Sequence, residues 1–590
     1  MMQKRLLALS ISTLFLTACG GDDGSNGTNG INGTNGIDSS RQIIALTETG
    51  RTASRGFAVS AAEIVAYDSA RDRIFTVNAN TGEIDYFSNL ASISNTPAGT
   101  LNLATLLLAA NVITDATEAG AANSIAISGD MAAVAVEANP KTDNGWVVFI
   151  NLNNLTFVRA VEVGALPDMV TFTPDGNKVL VANEGEPNEG YSVDPEGSVS
   201  VITVADGAVT TIGFTAFNEG QPRHNELDLN KMILDGFEAS VAESLEPEYI
   251  TVAQDGSEAY VALQENNAIA VLDLTDNSID RIFGLGFKNH SIPGNELDAG
   301  DRDGGMNIRT WPVMGIYMPD AIASYTFNGT TYLVTANEGD SREDWLVPVG
   351  DSDPAGCVAS GYYVNDDDEC VDEVRVKDLE DPEVGLTLGT ALTGLDVDSS
   401  LGRLKASYHT TRIMNGNDRA DGTDKSQAID KVYAYGARSF SVWNTSTGAQ
   451  VFDSGSAFER ITAQRFGDNF NSNHDENGGE ARSDDKGIEP EGIAIGTING
   501  YTYAFIGLER MGGIMVYDIS NPFAPEYVQY INNRDFTLEP GDGVDAGDLG
   551  PEGLAFVPAA NSPDGKPYLI VGSEVSGTTT VYEISMTTAQ

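Results

Sequence analysis

Short apolar stretches rich in β-branched residues, each bounded by turn residues, recur along most of the chain. In a typical copy an apolar strand leads into a turn, Pro174-Asp175-Gly176, and a second β-rich stretch follows at 179–181. A third stretch of the same kind comes next and often ends in Asp or Asn, as at Ile269–Asp273. Strand-turn-strand units with few helical periods predict an all-β protein made from one repeated unit.

An acidic phrase marks these units. Pro followed by Asp or Glu opens the first strand of a unit, and a Glu preceded by Asn, Gln, Leu or Ser follows its second strand. The clear copies are Pro167-Asp168 with Asn183-Glu184, Pro247-Glu248 with Gln264-Glu265, Pro319-Asp320 with Asn337-Glu338, Pro490-Glu491 with Leu508-Glu509, and Pro551-Glu552 with Ser573-Glu574. Two weaker copies precede them, Glu63-Ile64-Val65 with Asn78-Ala79-Asn80 and Asn123-Ser124-Ile125 with Glu137-Ala138-Asn139.

Seven units predict a seven-bladed β-propeller with long loop insertions over residues 43–590. Such a fold removes exposed strand edges by radial repetition. A pair of β-sandwiches is the alternative, but it would not explain one repeated acidic phrase.

The phrase also predicts where the acids gather. Because neighbouring strands of a blade run antiparallel, the start of the first strand and the end of the second lie at the same end of the sheet. We therefore expect ten carboxylates at one mouth of the propeller: a ring of Asp168, Glu248, Asp320, Glu491 and Glu552, and beside it Glu184, Glu265, Glu338, Glu509 and Glu574.

Carboxylates that converge in this way need cations or raised pKa values. Oxygen ligands without His or Cys partners favour Ca²⁺ or Mg²⁺ over zinc. We predict Ca²⁺ at the mouth, with the ten acids as candidate ligands and the number of ions left open. The alternative is that these acids cap backbone N–H groups at turns in every blade.

Long polar segments interrupt the repeat at 288–311, at about 340–431 and at 468–486. Loops of this length are usually functional or disordered. The first contains Asp301-Arg302-Asp303-Gly304, but Ala299 stands where an EF-hand needs its first ligand, so we reject that motif. The second contains Cys357 and Cys370, which we predict to form a disulfide in an exported protein.

The N-terminus has the features of an export signal. Lys4 and Arg5 precede a short apolar stretch, and Leu16-Thr17-Ala18-Cys19 resembles a bacterial lipobox. We predict a signal peptide over residues 1–19 with Cys19 lipidated, a flexible Gly/Asn/Thr-rich tether over 20–42, and an outer-membrane lipoprotein that faces the periplasm or the cell surface. An ordinary secretory signal is the alternative.

The charge of the chain limits its partners. With 86 acidic and 33 basic residues, the net charge is −53. We expect no binding to nucleic acid, which needs a basic surface, and we expect a monomer attached to a membrane through its lipid.

Four segments resemble the choice-of-anchor I domain family, a group of proteins with varied surface attachment that overlaps with mesenchyme-specific cell surface glycoprotein-like proteins. They are Phe287–Asn295, Tyr317–Ala323, Thr335–Arg342, and Phe470–Asn473 continuing through Asp485–Gly492. The resemblance implies a propeller similar to phytase-type propellers. Some members carry the label of atypical alkaline phosphatase, although Tyr317–Ala323 lacks further acids of the phytase signature.

Two functions follow as hypotheses. The first is a surface module that binds a glycan, a peptide or another envelope protein, with Trp311, Trp345 and Tyr362-Tyr363 as candidate exposed aromatics. The second is a Ca²⁺-dependent phosphoester hydrolase in which Arg342 and Arg510, each close after a ring glutamate, bind the phosphate. Lys486 and His290 are secondary candidates for that role.

Overall fold

The computed structural model describes residues 42–588 apart from 235, 237, 238, 342–353, 366–368 and 418–423. The predicted signal peptide, Cys19 and nearly all of the tether lie outside the described residues, as do Arg342 and Trp345. Residues 44–587 form one compact unit.

Strands account for most of the regular structure in this unit. In chain order they are β1 (Gln42–Arg51), β2 (Val65–Asp68), β3 (Arg73–Asn78), β4 (Glu83–Ser88), β5 (Gly99–Asn102), β6 (Ala119–Ser128), β7 (Met131–Ala138), β8 (Asn144–Asn151), β9 (Thr156–Ala165), β10 (Pro167–Phe172), β11 (Lys178–Asn183), β12 (Ser198–Thr203), β13 (Val209–Gly213), β14 (Ile250–Val252), β15 (Glu258–Leu263), β16 (Ala268–Asp273), β17 (Ser278–Gly284), β18 (Phe287–Asn289), β19 (Val313–Ile316), β20 (Ile322–Phe327), β21 (Thr330–Asn337), β22 (Tyr363–Val364), β23 (Cys370–Val371), β24 (Glu373–Arg375), β25 (Lys405–Ser407), β26 (Val432–Ala434), β27 (Ser439–Asn444), β28 (Ala449–Asp453), β29 (Pro490–Ile498), β30 (Tyr501–Leu508), β31 (Ile514–Asp518), β32 (Glu526–Ile531), β33 (Pro551–Val557), β34 (Tyr568–Ser573) and β35 (Thr578–Thr588).

The helices are short. The α-helices are α1 (Leu103–Ala109), α2 (Val241–Ser244), α3 (Pro354–Ala359), α4 (Tyr408–Met414) and α5 (Ala457–Phe466). Single 3₁₀ turns occur at Ala79–Thr81, Leu90–Ser92, Ala116–Glu118, Thr215–Phe217, His224–Glu226, Val376–Asp378, Gly467–Asn469 and Ala559–Asn561. Among the described residues, no helix combines the length and the apolar character needed to cross a bilayer.

Within the described part of the chain, the strands form seven four-stranded sheets, which we number in chain order. Sheet I is β2-β3-β4-β5, sheet II β6-β7-β8-β9, sheet III β10-β11-β12-β13, sheet IV β14-β15-β16-β17, sheet V β20-β21-β27-β28, sheet VI β29-β30-β31-β32 and sheet VII β33-β34-β35-β1. The N-terminal strand β1 thus completes the last sheet as its outer strand.

The first strands of the sheets contact one another in a closed cycle. In order, β2 contacts β6, then β10, β14, β20, β29 and β33, and β33 contacts β2 again. The first and last sheets of the chain are therefore neighbours in space. This arrangement confirms the predicted β-propeller, and the alternative of two β-sandwiches is wrong.

The core lies between the faces of neighbouring sheets. The middle strands are buried on both faces, as the patterns of β15 and β16 show, whereas the outer strand β13 is mostly exposed. In the cluster between sheets III and IV, Leu180 and Val199 pack with Val261 and Ala270. Burial on both faces explains why the apolar stretches of the sequence are continuous instead of alternating.

The insertions have cores of their own. Strands β18, β19 and β26 form a three-stranded sheet, and the described part of the second insertion packs around Trp311, Leu392 and Tyr408. Cys357 and Cys370 are joined in a disulfide, as the sequence predicted. This pair clusters with Tyr362 and with Tyr191 from the β11–β12 connection of sheet III.

Closure of the ring can be tested where two backbones approach. A Cβ at Gly553 of sheet VII would lie 2.3 Å from the carbonyl oxygen of Glu63, just before sheet I, whereas a Cβ at Gly541 would meet nothing within 4 Å. Gly553→Ala should lower the free energy of unfolding by about 1–3 kcal/mol, because the neighbouring backbone must shift. Urea denaturation checks this against Gly541→Ala as the control. Equal stability of the two variants would contradict the close approach.

Candidate functional site

The Pro-acid pair occupies a β-bulge at the start of the first strand. Pro167 pairs with Asn183 and Val170 with Val181, so two residues of β10, the first of them Asp168, face one residue of β11. The same two-against-one bulge contains the acid in sheets VI and VII. A bulge bends the strand and re-aims a side chain, which places the repeated acid at the end of its sheet.

A backbone hydrogen bond fixes the second acid of the phrase beside the first. In sheets III, VI and VII, the N–H of this glutamate donates to the carbonyl of the residue before the proline, over 2.8–2.9 Å. The pairs, donor first, are Glu184 with Leu166, Glu509 with Glu489, and Glu574 with Gly550. The residue before the proline has a positive φ in each case, 44°, 50° and 66°, so the phrase depends on a constrained turn.

Acids of the first positions line a small cavity at the centre of the ring. Its volume is about 30 Å³, close to that of one water molecule. Its lining includes Glu63, Asn123, Asp168, Asp320 and Glu552, which lie in or just before the first strands of five sheets. Burial, together with Glu186 and Glu137, raises the pKa of Asp168 to about 7.

Eight of the ten predicted acids fall into groups whose side-chain oxygens lie within 4.8 Å of one another. Oxygens bound to one Ca²⁺ at 2.3–2.6 Å lie at most about 5 Å apart, so each group has the spacing of a cation site. Among the described residues the groups are Glu184–Glu248–Glu265, Asp320–Glu338–Glu491, Glu338–Glu489–Glu509 and His474–Glu509–Glu574.

The Glu184–Glu248–Glu265 group joins sheets III and IV, and we call it the III–IV group. Its members are buried, with exposures of 9, 8 and 7%. Burial raises the pKa of Glu248 well above its usual range, and the negative charges of Glu265 and Glu184 raise it further. Burial also raises the pKa of Glu184 well above its usual range, and the negative charges of Glu186 and Asp168 raise it further.

The Glu338–Glu489–Glu509 group joins sheets V and VI, and we call it the V–VI group. Glu489 is fully buried, and its carboxylate lies 2.7 Å from Arg482 Nη2, 3.1 Å from Lys486 Nζ and 3.0 Å from Arg510 Nε. Burial opposes ionisation, yet Lys486, Arg510 and Arg482 hold the pKa of Glu489 well below its usual range. This carboxylate is therefore ionised and neutralised by the protein itself.

Arg510 lies inside the acidic mouth. Besides Glu489, its guanidinium contacts Glu509 at 3.1 Å and the imidazole of His474 at 2.8 Å. Burial raises the pKa of Glu574 to about 7, although His474 lowers it. Arg510, His474 and two glutamates thus form one polar network between sheets VI and VII.

Sequence reasoning missed three members of the mouth. Glu63 was read as part of a weak repeat, but it lines the central cavity with the ring acids. Glu489 stands directly before the proline of its unit, and His474 lies in the third insertion. Alignment of the weak copies on the strong ones could have found Glu63. Nothing in the sequence shows that Glu489 forms ion pairs with three basic side chains.

Two of the aromatic residues proposed as exposed binding residues, Trp311 and Tyr362, are buried. Trp311 is 2% exposed and its indole N–H donates to the carbonyl of Leu297, while Tyr362 is 1% exposed. Tyr363 is half-buried and donates to the carbonyl of Glu373. The expectation of solvent-facing aromatics is wrong for Trp311 and Tyr362, because the insertions pack these rings into their own cores. His290 is buried as well, with 2% of its surface exposed.

Fold and site together define a β-propeller with a buried acidic mouth. The family model of the choice-of-anchor I domain matches residues 63–522, and the chain belongs to this family. The match begins just before sheet I and ends within sheet VI. Membership makes the protein a surface- or envelope-associated one.

Two curated relatives are similar to parts of the chain. Gigasin-3a of Magallana gigas is 28% identical over 197 residues, 32% of this chain and 66% of that protein. The mesenchyme-specific cell surface glycoprotein of Strongylocentrotus purpuratus is 28% identical over 292 residues, 47% of this chain. The chain spans about two thirds of the length of the first relative and 35% of the second.

Two solved structures are distantly similar. Hydrazine synthase of Kuenenia stuttgartiensis has a TM-score of 0.41 at 11% identity, over 89% of this chain and 95% of that one. The β-propeller domain of Myceliophteria thermophila Cps50 (Swd1) has a TM-score of 0.40 at 7% identity, over 92% and 100%. These likenesses carry no information about activity.

The three cations around Glu489 lead to a stability prediction. Glu489→Gln removes the buried charge that Arg482, Lys486 and Arg510 share, and breaking such a network typically costs about 3–5 kcal/mol. We expect a loss of that size in the free energy of unfolding, measured by urea denaturation. Glu219→Gln, at an exposed glutamate, is the matched control. A Glu489→Gln variant as stable as this control would contradict the network.

The raised pKa values predict how metal-free protein responds to pH. Asp168 holds its proton up to about pH 7 in the folded state, against about 3.8 when unfolded. The folded state therefore binds more protons between these values, and its stability falls as the pH rises through this window.

Melting temperatures of chelator-dialysed protein should fall between pH 5 and pH 8. Asp168→Asn, which cannot ionise, should flatten this slope and add on the order of 1–4 kcal/mol at pH 8. Stability that rises with pH over this range in metal-free protein would contradict the account of the mouth.

Proposed function

We propose that this protein is a surface-displayed β-propeller module whose acidic mouth binds Ca²⁺ and which serves the cell envelope by binding or scaffolding another molecule. One observation carries the Ca²⁺ part of the proposal. Among the described residues, carboxylates from several sheets are buried together with fewer cations than acids, and some of their oxygens have no hydrogen-bond partner. Those oxygens are Glu63 Oε2, Glu248 Oε2, Glu491 Oε2, Glu509 Oε2 and Glu552 Oε2.

A buried carboxylate oxygen without a partner costs free energy, and bound Ca²⁺ would satisfy several of them at once. The donor set consists of carboxylates, with His474 as the sole nitrogen donor in the four groups of described residues. This composition suits a hard cation that prefers oxygen. The ion would stabilise the mouth and hold neighbouring sheets together.

Display at the surface is supported by family membership and by the N-terminal sequence. In this proposal the seven sheets are the seven blades of the propeller, Cys19 carries the lipid, and residues 20–42 act as the tether of an outer-membrane lipoprotein. Cys19→Ala should move the protein out of the membrane fraction. Unchanged fractionation of that variant would remove the lipid anchor from the proposal.

A second candidate function, Ca²⁺-dependent phosphoester hydrolysis, is favoured by the position of Arg510 within the mouth. A bound Ca²⁺ would supply charge for a phosphate and a polarised water. Arg510 would add directional N–H donors, although Glu489 and Glu509 already hold its guanidinium. If the wild type hydrolyses a generic phosphomonoester and Arg510→Ala does not, the activity is established. If the wild type hydrolyses none, the binding module remains as the proposed function.

Thermal melting with and without Ca²⁺ tests the proposed function. If the folded state alone binds the ion, stability rises by RT ln(1 + [L]/Kd), about 2.7 kcal/mol at a hundredfold excess over Kd. We expect a higher melting temperature in millimolar Ca²⁺ than in chelator. NaCl of equal ionic strength is the control for screening of surface charge. A melting temperature that is the same in Ca²⁺ and in chelator would overturn the Ca²⁺ part of the proposal.

A further inference from the structure

The propeller has two ends, and the acids of the repeated phrase lie at only one of them. That end is the mouth, where the first strand of a sheet begins. The other end holds the turns that join the first strand to the second, and we call it the base. In sheet VI, Pro490 pairs with Leu508 at the mouth, whereas Ile498 pairs with Tyr501 at the base.

Strand β1 shows at which end the chain enters the propeller. It is the outer strand of sheet VII and lies beside β35, which starts at the mouth, just after Glu574, and runs to the base. The N–H of Thr52 donates to the carbonyl of Thr579 over 3.0 Å, and the hydroxyl of Ser585 donates to the carbonyl of Ala45 over 3.4 Å. The two strands are therefore antiparallel, and the chain enters at the base and runs toward the mouth.

The distance from this entry point to the mouth is large compared with the reach of the predicted tether. A strand rises about 3.3 Å per residue, so the run from Ala45 to Arg51 covers roughly 20 Å. About 25 residues separate Cys19 from Ala45, and a flexible Gly-rich chain of that length has a root-mean-square span of about 25–30 Å. A mouth turned toward the membrane would use most of this span to pass along sheet VII, whereas a base turned toward the membrane uses none of it.

The base also carries the most exposed aromatic rings. Among the described residues, the three aromatic side chains with the largest exposed fractions are Phe523 at 57%, Tyr527 at 46% and Tyr501 at 43%. All three lie at the base of sheet VI, in or beside the turns at the ends of β30 and β32. One apolar cluster contains both Ile44 of β1 and Ile498, which precedes the turn of Tyr501. The rings therefore lie near the point where the chain enters.

Rings in this position suit a lipid surface. A tyrosine places its apolar ring and its hydroxyl at the boundary between hydrocarbon and headgroups, where aromatic residues are enriched. A phenylalanine such as Phe523 can enter the acyl boundary itself. A protein or a glycan also contacts exposed rings, but the segment predicted to carry the lipid joins the propeller beside these rings. The bilayer is therefore the surface within their immediate reach.

We propose that the base of the anchored protein lies against the bilayer through Tyr501, Phe523 and Tyr527, so that the acidic mouth opens away from the membrane. This inference rests on the part of the proposed function in which Cys19 carries the lipid. It adds an orientation to that anchor. The mouth and the connections around it are then the surface that the module presents to ions and to its ligand.

Energy transfer to labelled lipid tests the orientation. The purified full-chain lipoprotein, in phosphatidylcholine vesicles that contain an acceptor-labelled lipid, would carry a donor dye on one introduced cysteine. Ala205→Cys places the dye in the exposed turn between β12 and β13, at the base of sheet III. Glu189→Cys places it in the exposed connection between β11 and β12, at the mouth of the same sheet. Transfer should be several-fold more efficient from position 205, because transfer falls steeply with distance.

A second set of variants tests the contact through the rings. Tyr501→Ser, Phe523→Ser and Tyr527→Ser combined should lower transfer from position 205, because the lipid still attaches the protein but the base is held less closely. Val544→Ser is the control, since Val544 is 44% exposed and lies in the connection from β32 to β33 at the mouth. Circular dichroism checks that each variant is folded.

The outcomes separate this inference from the proposed function. Wild-type protein that carries no lipid by mass spectrometry and does not associate with vesicles would overturn both the anchor and the orientation. Lipid-bearing protein with equal transfer from the two positions, or with more from position 189, would overturn the orientation alone. Transfer from position 205 that is the same in the triple variant and in Val544→Ser would overturn the contact through the rings, and would leave them as a surface for another ligand.

Discussion

The structure depends on burying many carboxylates together at one mouth of the propeller. Each sheet begins with a strand that contacts the next sheet, and the cycle closes between β33 and β2. In sheets III, VI and VII the repeated acid stands in a bulge at the start of that strand, and in sheets IV and V it directly precedes the strand, so the repeat brings the acids to the same end of their sheets. Repulsion between ionised copies then has to be relieved, either by positive charge that the protein supplies or binds or by protons that the acids keep.

The charged neighbours of the buried acids differ from one part of the mouth to another. Around Glu489 the chain uses Arg482, Lys486 and Arg510, which come from the segment before sheet VI and from the end of its second strand. Around Glu248 the strongest charged neighbours are acids. The asymmetry comes from the insertions, because the third insertion supplies Lys486 and His474 next to sheet VI only. A repeat protein can thus make chemically different sites from one repeated phrase by varying the loops between copies.

The sequence was sufficient to predict the all-β fold, the propeller and the disulfide. These features follow from local patterns: a repeated phrase, turn residues at fixed offsets and an even number of cysteines after Cys19. The convergence of Asp168, Asp320 and Glu552 on one cavity follows from strand direction alone. The role of β1 as the outer strand of sheet VII was not predicted, because pairing between the two ends of a chain leaves no local signal.

The charge balance of the mouth could not be predicted for the same reason. Lys486 was a candidate phosphate ligand in the sequence, yet it is a partner of Glu338 and Glu489, which lie 148 and 3 residues away. Trp311 and Tyr362 were expected on the surface because they lie in long insertions. They are buried because those insertions fold into cores of their own, which depends on contacts between distant segments.

Direct location of the ion is the measurement that tests the central claim most directly. Crystals soaked with a lanthanide such as Tb³⁺, a Ca²⁺ substitute with strong anomalous scattering, would show where a cation is held. The account predicts a strong anomalous peak among the buried carboxylates of the mouth. The absence of any peak at these carboxylates would contradict it.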